Sequence, residues 1–370
     1  MRTRTAQYGG WLAGLSLAGA LALTACGTDE NPGTTDTSGA EKLGVACATG
    51  TVQASGSSAQ ANAMDEWSKT YQGACGGATI NYQSVGSGAG IEQFVQGSTS
   101  FAGSDSALKP DEATRAAARC KTRKAINLPM VIGPIAVAYN LPGVETLNLR
   151  PAVIADIFSG KITRWNDPEI RKDNAGTTLP ATGIQAFHRS DSSGTTENFT
   201  KFLSAAGGPT WTYGAGKEWK APGGQGAKGS EGVAAAVKQT PGAVSYMELS
   251  FADNANLPTA RVANGSGAFV ALTGESAGKA VAAASVTGTG NDLPLTIDYT
   301  TKAADAYPLV LVTYEITCEK GLPAESRAVV TSFLSYTASE KGQQQLADLG
   351  YAPLPAGIRT KVQSAVGAIS

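Results

Sequence analysis

Residues 51–71 read TVQASGSSAQANAMDEWSKTY, and the fold class follows from how this stretch divides. Thr51-Val52-Gln53-Ala54 reads as a short strand and Ser55-Gly56-Ser57-Ser58 as a loop. Ala59 to Tyr71 reads as a helix with Met64, Trp67 and Tyr71 on one face. The same strand, small polar loop and helix recur at Thr79–Tyr82, with the loop Ser84-Val85-Gly86-Ser87-Gly88-Ala89-Gly90 and a helix through Ile91, Phe94 and Val95. A third copy has the strand Ile184–Phe187, the loop Arg189-Ser190-Asp191-Ser192-Ser193-Gly194-Thr195 and a helix through Phe199, Phe202 and Leu203. A weaker fourth is Phe101-Ala102-Gly103-Ser104-Asp105-Ser106 before a helix starting near Pro110. Alternation of this kind indicates an α/β protein.

Each such junction leaves helix amides without internal partners, at the positive end of a helix dipole and beside short hydroxyls. One loop alone reads as ordinary helix capping, for which Ser, Thr and Asp are the preferred residues. Several converging loops would bind an anion, with Ser58, Ser87, Ser193 and Thr195 as neutral donors.

Other chemistries fit poorly. Gly86-Ser87-Gly88-Ala89-Gly90 lacks the spacing of a dinucleotide fingerprint, and no GxxxxGK[ST] loop occurs. The single histidine, His188, adjoins Arg189, whose charge disfavours protonation of a general base. It is read as a strand residue with one hydrogen-bond partner. One histidine also argues against a zinc or iron site, so neither metal nor cofactor is expected. The net charge of −1, with 16% charged residues, offers no electrostatic footprint for nucleic acid.

The start of the chain places it. Arg2 and Arg4 precede an apolar run from Trp11 to Leu23, too short to span a bilayer and ordered like a secretory signal. Leu23-Thr24-Ala25-Cys26 resembles a bacterial lipobox, which implies cleavage after residue 25 and a lipid on Cys26; two acyl chains give stable anchoring. The other reading is a soluble secreted protein in which Cys26 is removed with the signal or is an ordinary residue. Residues 26–46 are then the lipidated cysteine and a polar tether with no apolar period. Cys47, Cys75, Cys120 and Cys318 form an even set in an oxidising compartment, which favours two disulfides. Cys47 and Cys75 each precede one of two successive strands expected to run parallel, so they are paired, leaving Cys120 with Cys318.

The segments SGSSAQANAMDEW, NYQSVGSGAGIEQF, FAGSDSAL, IFSGKITRWNDPEI, RSDSSGTTENFTKFL and GVAAAVKQTPGAVSYMELSFA, in this order between about Thr51 and Thr360, resemble the PstS family, the substrate-binding components of bacterial high-affinity phosphate ABC transporters. The resemblance implies a two-lobed periplasmic-binding-protein fold of type II, with the ligand cleft between lobes joined by two hinge strands. The lobes are placed at 47–128 plus 306–370 and at 129–305, with the second crossing near Tyr307-Pro308-Leu309-Val310-Leu311. It also implies phosphate contacts at Ser58 with the amide of Ala59, at Ser87, at Asp105, and at Arg189, Ser193, Gly194 and Thr195. The family often has an aromatic residue where this chain has Ala59, which costs little if that contact is through the backbone. Asp191 either orients Arg189 or caps the helix that follows.

Asp105 would select the ligand, because a carboxylate in an anion site repels any anion that brings no proton; phosphate brings one near neutral pH and sulfate does not. Inorganic phosphate, permease subunits and, through the anchor, a membrane are the implied partners of an extracytoplasmic monomer that is not an enzyme. A phosphatase and a receptor for sulfate or molybdate are the alternatives. The first lacks a nucleophile with a base, and Asp105 opposes the second. Trp165, in the family segment ITRWND, is read as lobe packing. The Gly-rich stretch 214–230, with Lys217, Lys220 and Lys228, is read as a mobile surface loop, and the alanine run near 233–237 as helix.

Overall fold

The structure is a computed structural model that describes residues 37–121 and 124–370. The expected signal peptide and Cys26 lie outside the described residues. Strands β1 (Gly50–Gly56), β2 (Ala78–Ser84), β3 (Phe101–Ser104), β4 (Ala125–Tyr139), β5 (Gln185–Arg189), β6 (Gln225–Ala227), β7 (Ala243–Glu248) and β8 (Val310–Cys318) form one sheet in the order β2-β1-β3-β8-β4-β7-β5-β6. Five helices matter for the site: α1 (Ala61–Ala74), α2 (Ser87–Val95), α3 (Pro110–Arg119), α4 (Gly194–Ala206) and α5 (Gly229–Gln239).

The strand directions create a cleft. β2, β1 and β3 are mutually parallel, as are β7, β5 and β6, while β8 is antiparallel to both β3 and β4, and β4 is antiparallel to β7. The two parallel triplets therefore run toward each other from opposite ends of β4. β3 ends at Ser104, opposite Tyr314, which itself pairs with Pro129 of β4; β7 ends at Glu248, opposite Ile135. Residues 130–134 of β4 span the gap between the two sets of carboxyl ends, which is where open α/β sheets bind ligands. Helices following these strands turn their amino ends to that gap. The α/β, two-lobed, type II periplasmic-binding-protein architecture expected from the sequence is the one observed.

Local sequence explains the elements. All 15 residues of β4, AINLPMVIGPIAVAY, are buried, as suits a central strand covered on both faces. On one side Trp67 of α1 is fully buried and donates from Nε1 to the Gly342 carbonyl at 2.7 Å, and Tyr71 meets Phe333 edge-on at 5.4 Å. On the other, Phe199 stacks on Tyr246 at 4.2 Å. Trp165 is buried there, bonded to the Gly242 carbonyl at 3.0 Å and beside Tyr139 at 6.3 Å, which is a packing role. Gly56 sits at φ +148°, and a Cβ there would lie 2.0 Å from the Gly103 carbonyl oxygen of the paired strand. Only glycine permits that approach.

Disulfides join Cys47 to Cys75 and Cys120 to Cys318, at sequence separations of 28 and 198. On the chain-entropy account each stabilises the fold by about 3–5 kcal/mol. Two expectations need correction. The tether reaches only part of its expected length, because Thr37–Leu43 is a helix whose Leu43 is buried against the body, followed at once by the Cys47 crosslink. The first loop helix begins at Ala61 rather than Ala59, because residues 57–60 form a turn in which Ser57 Oγ takes the Ala59 amide at 3.0 Å. Among the described residues no helix is long and apolar enough to cross a membrane.

Candidate functional site

The four loops singled out in the sequence converge at the β4 gap. Asp105, just beyond the end of β3, is 3% exposed and is the hub. Its Oδ2 accepts from Ser57 Oγ at 2.7 Å and Ser87 Oγ at 3.1 Å, and its Oδ1 from Thr313 Oγ1 at 2.7 Å. Ser87, the first residue of α2, accepts in turn from the amides of Asp105 and Gly194, each at 3.2 Å. The Ser87–Gly194 bond and one from the Gly88 amide to the Ser192 carbonyl at 3.0 Å link loops that lie on opposite sides of the gap. Asn198 Nδ2 adds a third bridge, donating to the Asp105 carbonyl at 2.7 Å. The cleft is closed.

The opposite wall is built by β5 and α4. Arg189 ends β5 and is 2% exposed; Asp191 grips it through both carboxylate oxygens, accepting from Nε at 2.7 Å and from Nη2. Asp191 Oδ1 also accepts from the Gly229 amide at 3.1 Å, at the amino end of α5 rather than of α4. Ser193 caps α4, its Oγ taking the Thr196 amide at 3.2 Å. Thr195 Oγ1 donates to Glu248 Oε1 at 2.6 Å, and Arg189 Nη1 reaches Ser230 Oγ at 3.2 Å. Ser58 does not meet Arg189 directly. Its Oγ lies 2.9 Å from Ser230 Oγ and accepts from the Ser230 amide at 3.1 Å. The structure thus gathers Ser58, Ala59, Ser87, Asp105, Arg189, Ser193, Gly194 and Thr195 into one buried neighbourhood.

Five contributors were missed in the sequence: Ser57, Asn198, Ser230, Glu248 and Thr313. Ser230 carried a readable signal, since β6, Lys228-Gly229 and α5 repeat the strand, loop and helix pattern. Glu248 and Thr313 sit on β7 and β8 with no local motif. Glu248 is fully buried, and its Oε2 has no hydrogen-bond partner among the described residues.

Three carboxyl groups, Asp105, Asp191 and Glu248, act on the Arg189 cation at this site. Burial, reinforced by the nearby Glu248, pushes the Asp105 carboxyl up to about 6 against the opposing bonds from Ser57 and Thr313 and the charge of Arg189. Burial works against the Arg189 cation too, but Asp191 and Glu248 more than compensate. Asp191 is likewise held below its ordinary range, as Arg189 outweighs its burial. His188 packs beside this wall. Its ring stacks on Trp219 at 5.1 Å and its Nδ1 lies 3.0 Å from the Arg189 carbonyl.

Gly194 makes the closeness of the two walls visible. A Cβ on it would fall 2.5 Å from Asp105 Cβ and 2.6 Å from Ser87 Oγ. Gly194→Ala is therefore expected to hold the walls apart and weaken anion binding by about tenfold or more, a clash in the overpacking range of roughly 1–3 kcal/mol. Titration calorimetry checks it, and unchanged affinity would show that the walls need not approach this closely.

Comparison with known proteins gives a consistent placement. A family model described as a PBP superfamily domain matches residues 43–341. The chain is 45% identical over 362 residues to the phosphate-binding protein PstS 3 of Mycobacterium tuberculosis, covering 96% of this chain and 97% of the relative. It is 42% identical over 369 residues to PstS 3 of Mycobacterium leprae, covering 98% and 99%. Among solved structures, the phosphate-binding protein from Stenotrophomonas maltophilia superposes with a TM-score of 0.65 at 20% identity, covering 85% of this chain and 93% of that one. The chain belongs to the PBP superfamily and, within it, to the PstS family of phosphate-binding proteins.

Proposed function

We propose that this chain binds inorganic phosphate in the cleft and delivers it to the permease of an ABC transporter, as a receptor and not an enzyme. Ser58, the Ala59 amide, Ser87 and Asp105 contribute from one lobe, and Arg189, Ser193, Gly194 and Thr195 from the other. Asp191 orients Arg189. The carrying observation is Asp105, a buried carboxyl at about 6 sharing one closed shell with the buried Arg189. That combination attracts an anion and accepts a hydrogen bond from it, and so suits protonated phosphate. Sulfate would set two acceptors against each other, and a site built around a required donor rejects the analogue lacking it by about 10⁴-fold. Three or four charge-assisted hydrogen bonds at about 1.5–3 kcal/mol each are on the scale of micromolar binding.

The lobes are taken as 47–128 plus 306–370 and 129–305. The change of partner along β4, from β8 up to Pro134 to β7 from Ile135, supports a hinge in this strand. Two disulfides suit an oxidising, extracytoplasmic compartment. In this reading the signal peptide ends at residue 25, Cys26 carries the lipid that holds the monomer at the membrane, and the segment between Cys26 and the helix at Thr37 spans the distance to the body.

The test is isothermal titration of purified, phosphate-stripped full-length protein with phosphate and, in parallel, sulfate. Tight one-to-one phosphate binding with no measurable sulfate binding is expected. A folded protein that binds sulfate as well as phosphate, or neither, overturns the proposal. Turnover of a chromogenic phosphomonoester would overturn the receptor-only reading.

A further inference from the structure

Lys217 departs from what its Gly-rich surroundings lead one to expect. It is 6% exposed, and its Nζ meets Glu112 Oε1 at 2.8 Å. Glu112 is only 12% exposed and lies in the first turn of α3, where its other oxygen accepts from the Lys109 amide at 2.8 Å. Neither residue belongs to the anion site, yet each is fixed to one wall of it. The Lys217 carbonyl accepts from the Ser193 amide at 3.0 Å, directly before the α4 amino end. Its neighbour Gly216 is bonded through its amide to Thr200 Oγ1 of α4 at 3.1 Å, and Trp219 is packed among His188, Phe199 and Tyr246. α3 is held to the other lobe by Arg115 to Glu92 at 2.7 Å, by Arg119 to the Phe94 carbonyl at 3.0 Å, and by the Cys120–Cys318 crosslink at its end.

We propose that Lys217 and Glu112 are positioning residues for anion binding, whose buried ion pair forms when the cleft closes and sets how long a bound anion is held. The inference rests on the reading of the site as a phosphate cleft that opens and closes. In the open form both groups return to water and make no demand on each other. In the closed form each is nearly dry, so removing one partner leaves the other charge buried and unpaired, which is far more costly than losing both. A single substitution therefore penalises the closed form alone and shifts the population toward the open one. The nearby Lys109 to Glu197 contact, at 3.9 Å with Lys109 half exposed, is too solvated to act the same way.

The test compares four full-length proteins: wild type, Lys217→Met, Glu112→Gln and the double variant. Phosphate affinity is expected to fall about tenfold to a hundredfold in each single variant, through faster dissociation. In the double variant it should return to within about threefold of wild type, since neither member of the pair is then left as an uncompensated buried charge and the adjacent Glu197 keeps Lys201 at 2.8 Å. Additive losses in the double variant, or single variants equal to wild type, overturn the proposal. Small-angle scattering of the same four proteins reads cleft opening independently of any ligand. The single variants should have the larger radius of gyration, and the double variant should match wild type. If wild type fails to bind phosphate, the phosphate reading fails while scattering still decides the ion pair: no added opening in either single variant overturns it.

Discussion

Arg189→Ala is expected to weaken phosphate binding about a thousandfold, roughly 4 kcal/mol, while leaving the protein folded. Arg189 is 2% exposed and stands at the end of β5 with Asp191 across Nε and Nη2, which fixes its guanidinium plane toward Ser230 and Thr195. Substitution removes the charge that attracts the anion and two charge-assisted bonds of about 1.5–3 kcal/mol each. It also leaves the Asp191 carboxylate without a counter-charge, held by the Gly229 amide. Arg189→Lys should fall between, because a point charge survives while the bidentate fork is lost. Calorimetric titration measures both. An alanine variant within tenfold of wild type would mean the converging loops bind the anion without this side chain.

Asp105→Asn is expected to change what is bound more than how tightly phosphate is held. The asparagine oxygen can still accept from Thr313, and Ser57, whose Oγ accepts only the Ala59 amide, can rotate to accept from the asparagine amide. Phosphate should lose about tenfold. Sulfate should gain about a hundredfold or more, because the repulsion against it becomes a donated bond. The wild-type protein carries the same test in its pH dependence. Burial and Glu248 raise the Asp105 carboxyl to about 6, so above that pH it is ionised and repels sulfate. As pH falls through about 6 it takes up a proton, becomes a donor, and the gap between phosphate and sulfate should narrow. Competition titrations from pH 5 to 8 would show this slope in wild type and a flat profile in the asparagine variant. A wild-type selectivity independent of pH would assign the discrimination to other groups.

Much of this molecule is local and therefore legible. Helix amino ends need hydroxyl and glycine neighbours, and strands need alternation or continuous apolar runs, so TVQASGSSAQANAMDEW and RSDSSGTTENF announce their structure within about ten residues. Three loops could be read as anion loops for this reason, with Ser58, Ser87, Ser193 and Thr195 as donors, while Asp105 and Arg189 are implied by the family resemblance. Residues contributed by strands carry no such signature. Glu248 reaches Thr195 across 53 positions and Thr313 reaches Asp105 across 208, so neither could be attached to the site from its own neighbourhood.

Lys217 shows the limit most clearly. Glycine, proline and lysine around it describe a solvated loop by every local rule, yet the chain there is anchored by Trp219 and the ammonium is covered by α3 of the facing lobe. The sequence by itself determined the strand, loop and helix units, the crosslinking cysteines and the residue types an anion site needs, because short-range sterics, capping and burial periodicity act between near neighbours. Tertiary structure alone decided which loops face one another, which carboxylates share the cleft with Arg189 and which charges become buried on closure. Those depend on how the two parallel triplets meet along β4, and that distance is set by the packing of segments hundreds of residues apart.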